Sequence, residues 1–203
     1  MALSAKRASL SQDFDRSYLG TPAWDIGRPQ PVFAALMEEG AISGRVLDAG
    51  CGTGEHTLMA ASRGLDATGV DSSPRAIRIA KRKATERGIA ARFLVSDALA
   101  LADLKEWFDT VMDSGLFHVF DDESRAQYVA SLANVVRPGG RVLLMCFSDR
   151  QPGDWGPRRV RQAELRDAFA DGWDIESIEP ARFSVNLDPP TAEAWIARVR
   201  RRA

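Results

Sequence analysis

Five short apolar runs, at 45–48, 66–71, 91–96, 108–113 and 141–147, alternate with longer stretches of helical period. A chain with that rhythm has few folds open to it. Strands separated by helix-length segments pair in parallel, because a parallel neighbour needs a crossover of a dozen or more residues. The last run is apolar from Val142 to Phe147, as a strand covered on both faces should be. It is also the longest apolar run, and it is too short to span a bilayer. In the gaps, Ser72 or Ser73 can cap and Pro74 can open a helix with Ile77, Ala80 and Ala84 on one stripe. The opposite face carries Arg75, Arg78, Lys81, Arg82, Lys83 and Arg87 and reads as solvated. Val129, Leu132, Ala133 and Val136 predict a helix over 122–136, which Arg137-Pro138-Gly139-Gly140 then stops. A helix at 161–169 and a strand at 173–178 follow. Alternation of Trp195, Ala197 and Val199 predicts a final antiparallel strand, with Arg198, Arg200, Arg201 and Arg202 as a charged edge.

The sharpest local signal is Val46-Leu47-Asp48-Ala49-Gly50-Cys51-Gly52-Thr53-Gly54-Glu55, between the first strand and the helix after it. Glycines there let the backbone turn tightly and approach a ligand, and exposed amides with the helix start favour a carboxylate or other anion. The spacing is G-x-G-x-G, not the G-x-G-x-x-G of nicotinamide oxidoreductases, and the lysine of a triphosphate-binding loop is missing. Asp48 before the first glycine repels phosphate and suits a cation or amine. Asp71 ends the second strand, where a carboxylate can accept from a ribose diol. Asp97 follows the third, where it can accept from an exocyclic adenine amine. One aspartate alone is most simply a cap or loop residue. Acids at successive strand ends, with a glycine loop first, point to a ligand outside the carboxyl ends of the sheet.

Composition narrows the partners. The chain has 203 residues, one ordinary domain, with 27 Lys plus Arg against 28 Asp plus Glu. Without a basic excess there is no general electrostatic reason to bind nucleic acid. Its 2 cysteines and 2 histidines match no metal-ligand spacing and no disulfide framework. The first residues lack the apolar core of a secretory signal, so a cytoplasmic protein is expected.

Together, Asp48-Ala49-Gly50-Cys51-Gly52-Thr53-Gly54, Gly69-Val70-Asp71, Ser96-Asp97-Ala98, Phe108-Asp109-Thr110-Val111 and Arg137-Pro138-Gly139-Gly140 resemble a class I S-adenosylmethionine-dependent methyltransferase. The resemblance covers about residues 30 to 148 well and the tail loosely. It implies a three-layer, Rossmann-like α/β sandwich whose seven-stranded, mainly parallel sheet has an antiparallel last strand. It implies S-adenosylmethionine as cofactor and S-adenosylhomocysteine as product. The loop residues Asp48, Ala49, Gly50, Cys51, Gly52 and Gly54 would hold the methionine part, Asp71 with Ser72 the ribose, and Asp97 with Ala98 the adenine. Asp113 and Ser114 after strand four, His56 in the first helix, and Tyr18 and Trp24 in the arm would complete the cofactor site.

The segment Trp24-Asp25-Ile26-Gly27-Arg28-Pro29-Gln30-Pro31 resembles the thiopurine, thiol and halide branch and bacterial enzymes acting on heterocyclic toxins. Residues 1–30 would then form an arm covering the site and 31–203 the catalytic domain. The chain lacks the Asn/Asp-Pro-Pro-aromatic run of base-amine methyltransferases. A small aromatic, heterocyclic or thiol acceptor is implied, methylated on O, S or N by in-line displacement. No nucleic-acid or membrane partner is expected, and the chain would be a monomer or homodimer. His118, with Asp113, is the candidate catalytic pair, His118 being either a general base or a hydrogen-bonded structural histidine. Phe14, Phe117, His118, Phe147 and Trp155 are the candidate acceptor wall, Trp155 from a Gly/Pro loop able to close over a pocket. Cys51 reads as packing rather than as a nucleophile. The alternative is a non-catalytic cofactor-binding module or partner subunit on the same fold.

Overall fold

The computed structural model describes residues 11–203; the first ten residues of the expected arm lie outside the described residues. The elements follow in the order α1 (11–17), α2 (Pro31–Glu38), β1 (Arg45–Ala49), α3 (Glu55–Ser62), β2 (Asp66–Asp71), α4 (Pro74–Arg87), β3 (Arg92–Val95), β4 (Phe108–Ser114), α5 (Asp122–Ala133), β5 (Val136–Phe147), α6 (Gln162–Ala168), β6 (Trp173–Ser184) and β7 (Thr191–Arg201). The seven strands form one sheet in the order β3-β2-β1-β4-β5-β7-β6. Pairing is parallel from β3 through β5, while β7 runs antiparallel to both β5 and β6. The expected mainly parallel sheet with an antiparallel last strand is found.

The period-two alternation of β5 explains the layers. Val142, Leu144 and Cys146 face one cluster with Tyr128 and Leu132 of α5 and Leu165 of α6. Leu143, Met145 and Phe147 face another with Phe33 and Leu36 of α2 and Ala60 of α3. A third cluster packs Leu58 of α3 against Ile77 and Ala80 of α4 and Phe93 of β3. Each face is therefore covered, which makes the sandwich three layers deep.

Three expectations need correction. The helix expected to reach Val136 ends at Ala133 with Asn134 as its cap, because Val136 pairs with Phe108 in the sheet. Residues 137–140 then form an excursion inside β5, where the pairing jumps from Phe108 to Thr110. The arginine-rich end is not an edge: β7 lies between β5 and β6, and β6 takes the outside position. Arg198 pairs with Glu39 at 2.8 Å and Arg202 with Asp174 at 2.7 Å, while Arg201 bonds the Val136 carbonyl. The basic face of α4 is also only partly solvated, since Lys83 and Arg87 both pair with buried Glu55 at 2.8 Å.

Gly54 shows how tightly the site region is packed. It precedes α3 at φ +87°, and a Cβ there would stand 2.7 Å from the Phe93 ring and 2.9 Å from Ala80. Gly54→Ala would combine a left-handed backbone with a clash against rigid core atoms. Urea denaturation should show a loss of about 1–3 kcal/mol.

Candidate functional site

The glycine loop is held by what lies behind it. The amides of Gly50 and Cys51 both donate to the Val70 carbonyl at 2.9 Å, Gly54 N donates to Cys51 O at 2.9 Å, and Gly52 N donates to Asp71 Oδ2 at 2.9 Å. The amides expected to receive an anion are thus spent within the protein. The loop turns its backbone toward the cavity, and Asp71 braces it while also accepting from Ser73 N at 2.8 Å. Burial pushes the Asp71 carboxyl up, against those two amide bonds. A carboxylate has about four acceptor sites, so Asp71 keeps capacity for a ligand.

Above the loop lies a cavity of about 1240 Å³. Of the expected cofactor residues, Tyr18, Trp24, Gly50, Cys51, Gly52, His56, Asp71, Ser72, Asp97, Ala98 and Ser114 line it. Of the expected acceptor wall, Phe14, His118, Phe147 and Trp155 line it. Asp97 also caps the 3₁₀ turn Ala98–Leu104 through Leu99 N at 2.9 Å. Among the described residues there is no group of three His, Cys, Asp or Glu able to hold a metal ion, and no helix is long and apolar enough to cross a membrane.

Five expected site residues lie elsewhere. Asp48 points away from the loop and accepts from Thr57 N at 3.0 Å and Thr57 Oγ1 at 2.7 Å. Ala49 and Gly54 are packed behind the loop. Asp113 is fully buried and takes the amides of Leu116 at 2.7 Å and Phe117 at 3.1 Å, so it shapes the turn after β4 and does not reach the cavity. Phe117 is wholly buried, stacked on Phe169 with centroids 6.2 Å apart. Phe117–Val119 is a single 3₁₀ turn, in which successive side chains point about a third of a turn apart, so Phe117 enters the core while His118 takes the cavity side.

His118 is 7% exposed, and its Nδ1 accepts the Phe147 amide at 3.0 Å. Burial, helped by the Arg159 charge, pulls its pKa down to about 3. The ring is therefore neutral with its proton on Nε2. Of the two roles expected for His118, general base or hydrogen-bonded structural histidine, the Nδ1 bond to the Phe147 amide fits the second and leaves Nε2–H as a donor. A Cβ on Gly115 would stand 3.5 Å from Nε2; glycine at that cavity-lining position leaves this edge open. His56 likewise uses Nε2 to accept Gln30 N at 3.0 Å, and burial lowers its pKa to about 4.

The arm is fastened by polar pairs that sequence reasoning missed. The Gln30 side chain accepts Ser184 N at 2.8 Å and donates to Ser184 O at 3.0 Å. Asn186 Nδ2 donates to Asp25 O at 2.7 Å. Asp25 also accepts from Thr53 Oγ1 at 3.0 Å, and Thr53 in turn meets Lys83 at 2.7 Å. At the other end, Asp15 caps α4 through Ser73 Oγ at 2.7 Å and Arg75 N at 2.9 Å. Trp24 Nε1 donates to Tyr18 Oη at 3.1 Å, and that phenol lies 2.9 Å from where a Gly52 Cβ would be. Phe183, from a β6 longer than expected, completes an aromatic box with Phe147 at 5.4 Å and His118 at 5.9 Å. Trp155 stands edge-on to Phe147 at 5.8 Å.

Residues 46–140 match the methyltransferase domain family. A 2-heptyl-1-hydroxyquinolin-4(1H)-one methyltransferase of Mycobacteroides abscessus is 37% identical over 191 residues, covering 89% of this chain and 84% of that protein. A probable thiol methyltransferase of Arabidopsis thaliana is 29% identical over 147 residues, covering 71% of this chain and 65% of that one. A solved structure concerned with converting a disulfide bond into a thioacetal group during echinomycin biosynthesis is 39% identical, with a TM-score of 0.88, covering 95% and 93% of the two chains.

Beneath the loop, burial raises both Asp48 and Asp113 to about 7, with the Asp71 charge adding to the rise at Asp48 and the Asp48 charge adding to that at Asp113. A raised native pKa means that the native state holds a proton the unfolded chain has lost, so each group costs stability as pH rises from about 4 to 7. His56 and His118, with lowered values, pull the other way below about 6.5. The comparison with Asp48→Asn isolates one carboxyl. Its stability relative to wild type should climb with pH between about 4 and 7, by up to about 1.4 kcal/mol per pH unit in urea titrations. A flat difference would refute the buried-acid assignment.

Proposed function

The chain belongs to the class I S-adenosylmethionine-dependent methyltransferases, and we propose that it methylates a heteroatom of a small, flat aromatic or heterocyclic acceptor. The observation that carries this reading is the two-ended cavity. One end has the glycine loop with Asp71 and Asp97; the other is the box of His118, Phe147, Trp155 and Phe183. Hydroxyquinolinone and thiol are the acceptor types in the names of two relatives.

The residues present suit the cofactor. Asp71 ends β2 and Asp97 follows the adjacent β3, and both line the cavity, where they can accept from a sugar diol and a base amine. Among the described residues Arg28 is the one lysine or arginine lining the cavity, and a guanidinium suits the amino-acid carboxylate of the cofactor better than its sugar. The acids Asp25 and Glu55 nearby are taken up by Lys83 and Arg87. Burial pushes Glu55 up, but those partners outweigh it and hold its carboxyl below the usual range. When bound, S-adenosylmethionine supplies an electrophilic methyl group on a sulfonium.

The protein's share is alignment and exclusion of water. Phe147, Phe183 and Trp155 fix the plane of a flat acceptor. His118 Nε2–H donates to its heteroatom and leaves another lone pair for attack. Tyr18 and Trp24 of the arm roof the cofactor end, and the fastening of Gln30 to Ser184 keeps that roof in place.

Calorimetry with S-adenosylhomocysteine tests the cofactor end. Asp71→Asn can still accept the Gly52 amide but loses the charge-assisted bonds to the ribose, so affinity should fall about tenfold or more. Unchanged affinity would remove Asp71 from ribose binding. Methyl transfer to a panel of phenols, N-hydroxy heterocycles and thiols tests the acceptor end. There Trp155→Ala should raise the acceptor KM several-fold with cofactor affinity intact; an equal loss of both would place Trp155 elsewhere.

A further inference from the structure

We propose that the acceptor is bound as its anion, selected by Arg159 together with His118 Nε2–H, so that no residue of this chain acts as a base on it. This rests on the methyltransferase reading above and concerns the acceptor end of the same cavity.

Arg159 is half-buried behind the aromatic box, its guanidinium 5.5 Å from the Phe147 centroid and 6.0 Å from that of Trp155. Among the described residues it has three carbonyl partners and no carboxylate: Gln151 O at 3.3 Å, Pro157 O at 2.9 Å and Gly153 O at 3.2 Å. An unneutralised cation at this depth acts at longer range than an exposed one. The other charged groups around the box are committed. Asp113 lies under the turn with Leu116 and Phe117. Arg125 stacks on Phe117 and meets Asp122 at 3.5 Å. Asp149 accepts from Trp195 at 3.1 Å, Arg150 faces Glu193 at 3.8 Å, and Asp154 is solvent-exposed.

The wall at this end thus offers one N–H donor with a cation behind its rings, and it offers no acceptor for a proton. His118 cannot take one, because Nδ1 is occupied by the Phe147 amide and Nε2 already carries hydrogen. A phenol, N-hydroxy heterocycle or thiol loses its proton to solvent before it enters. Its lone pair then forms the new bond to the methyl carbon as the carbon–sulfur bond breaks, and the electron pair of that bond stays on sulfur. The anion and the sulfonium both become neutral, so the charged ground state gives neutral products inside the cavity.

The experiment measures binding, with S-adenosylhomocysteine in place, of para-nitrophenol on either side of its own ionisation. Phenol and phenolate are separated by their absorption bands. Wild type should hold the phenolate at least about tenfold more tightly than the phenol. Arg159→Gln should cut that preference about tenfold while the neutral form binds as before, and Arg159→Lys should restore it. If Arg159→Gln weakens both forms alike, Arg159 only braces its loop and the inference falls. It falls equally if Arg28→Gln removes the preference instead, or if neither form binds. A second readout is the pH dependence of kcat/KM across phenols of graded acidity. Its inflection should track each acceptor's own ionisation; a fixed inflection would mean a protein base. Failure of wild type to bind S-adenosylhomocysteine would instead sink the methyltransferase reading itself, so the two failures are distinct.

Discussion

Two backbone amides converge on one carbonyl: Gly50 N and Cys51 N both reach Val70 O. That shared bond folds the loop after β1 back over the end of β2 and opens the crevice above it. The crevice falls where the strand order reverses, with β2 on one side of β1 and β4 on the other. In an open sheet that is where neighbouring loops diverge and leave room for a ligand. Asp71 makes the arrangement stiff, because one carboxylate ties the loop at Gly52 to the start of α4 at Ser73. Without it, Gly52 at the tip of the loop would lose the bond that ties its amide to the next strand end.

The second half of the cavity is built by distant chain. The arm meets the β6–β7 hairpin through Gln30 and Asn186, each bonding to backbone across more than 150 residues of sequence. Bonds to backbone carry little side-chain specificity, but they fix position well. They hold Trp24 and Tyr18 over the glycine loop and bring Phe183 beside His118. A cavity roofed in this way has less room for water, and low water content strengthens electrostatic effects inside it.

Charge is distributed unevenly along that cavity. Asp71 and Asp97 line one end of it, while His118 lines the other and Arg159 stands behind the Phe147 and Trp155 rings there. Beneath the loop, burial disfavours ionisation of both Asp48 and Asp113, and Asp71 adds to the effect on Asp48 as Asp48 does to that on Asp113. One oxygen of Asp48 has no partner among the described residues. Such a pair costs stability, and it persists because each carboxyl shapes a turn that borders the site.

Periodicity and punctuation made much of this legible. The both-sided apolar run of β5, the caps before α4 and the glycine loop all state local facts, and local chemistry settles them. Asp71 and Asp97 were readable because a strand end fixes where its next residue stands. The sequence could not say that Asp48, Asp113 and Phe117 face inward while His118 faces the cavity. That depends on which way a turn rolls against α3 and α5, and rotating the turn by one residue leaves its composition unchanged. Nor could it say that the terminal arginines pair across an inner strand, or that Arg159 has carbonyls and no acid around it. Strand order, the reach of Gln30 to Ser184 and the protonation of His118 are set by groups far apart in the chain, which meet only once the sheet has closed around them.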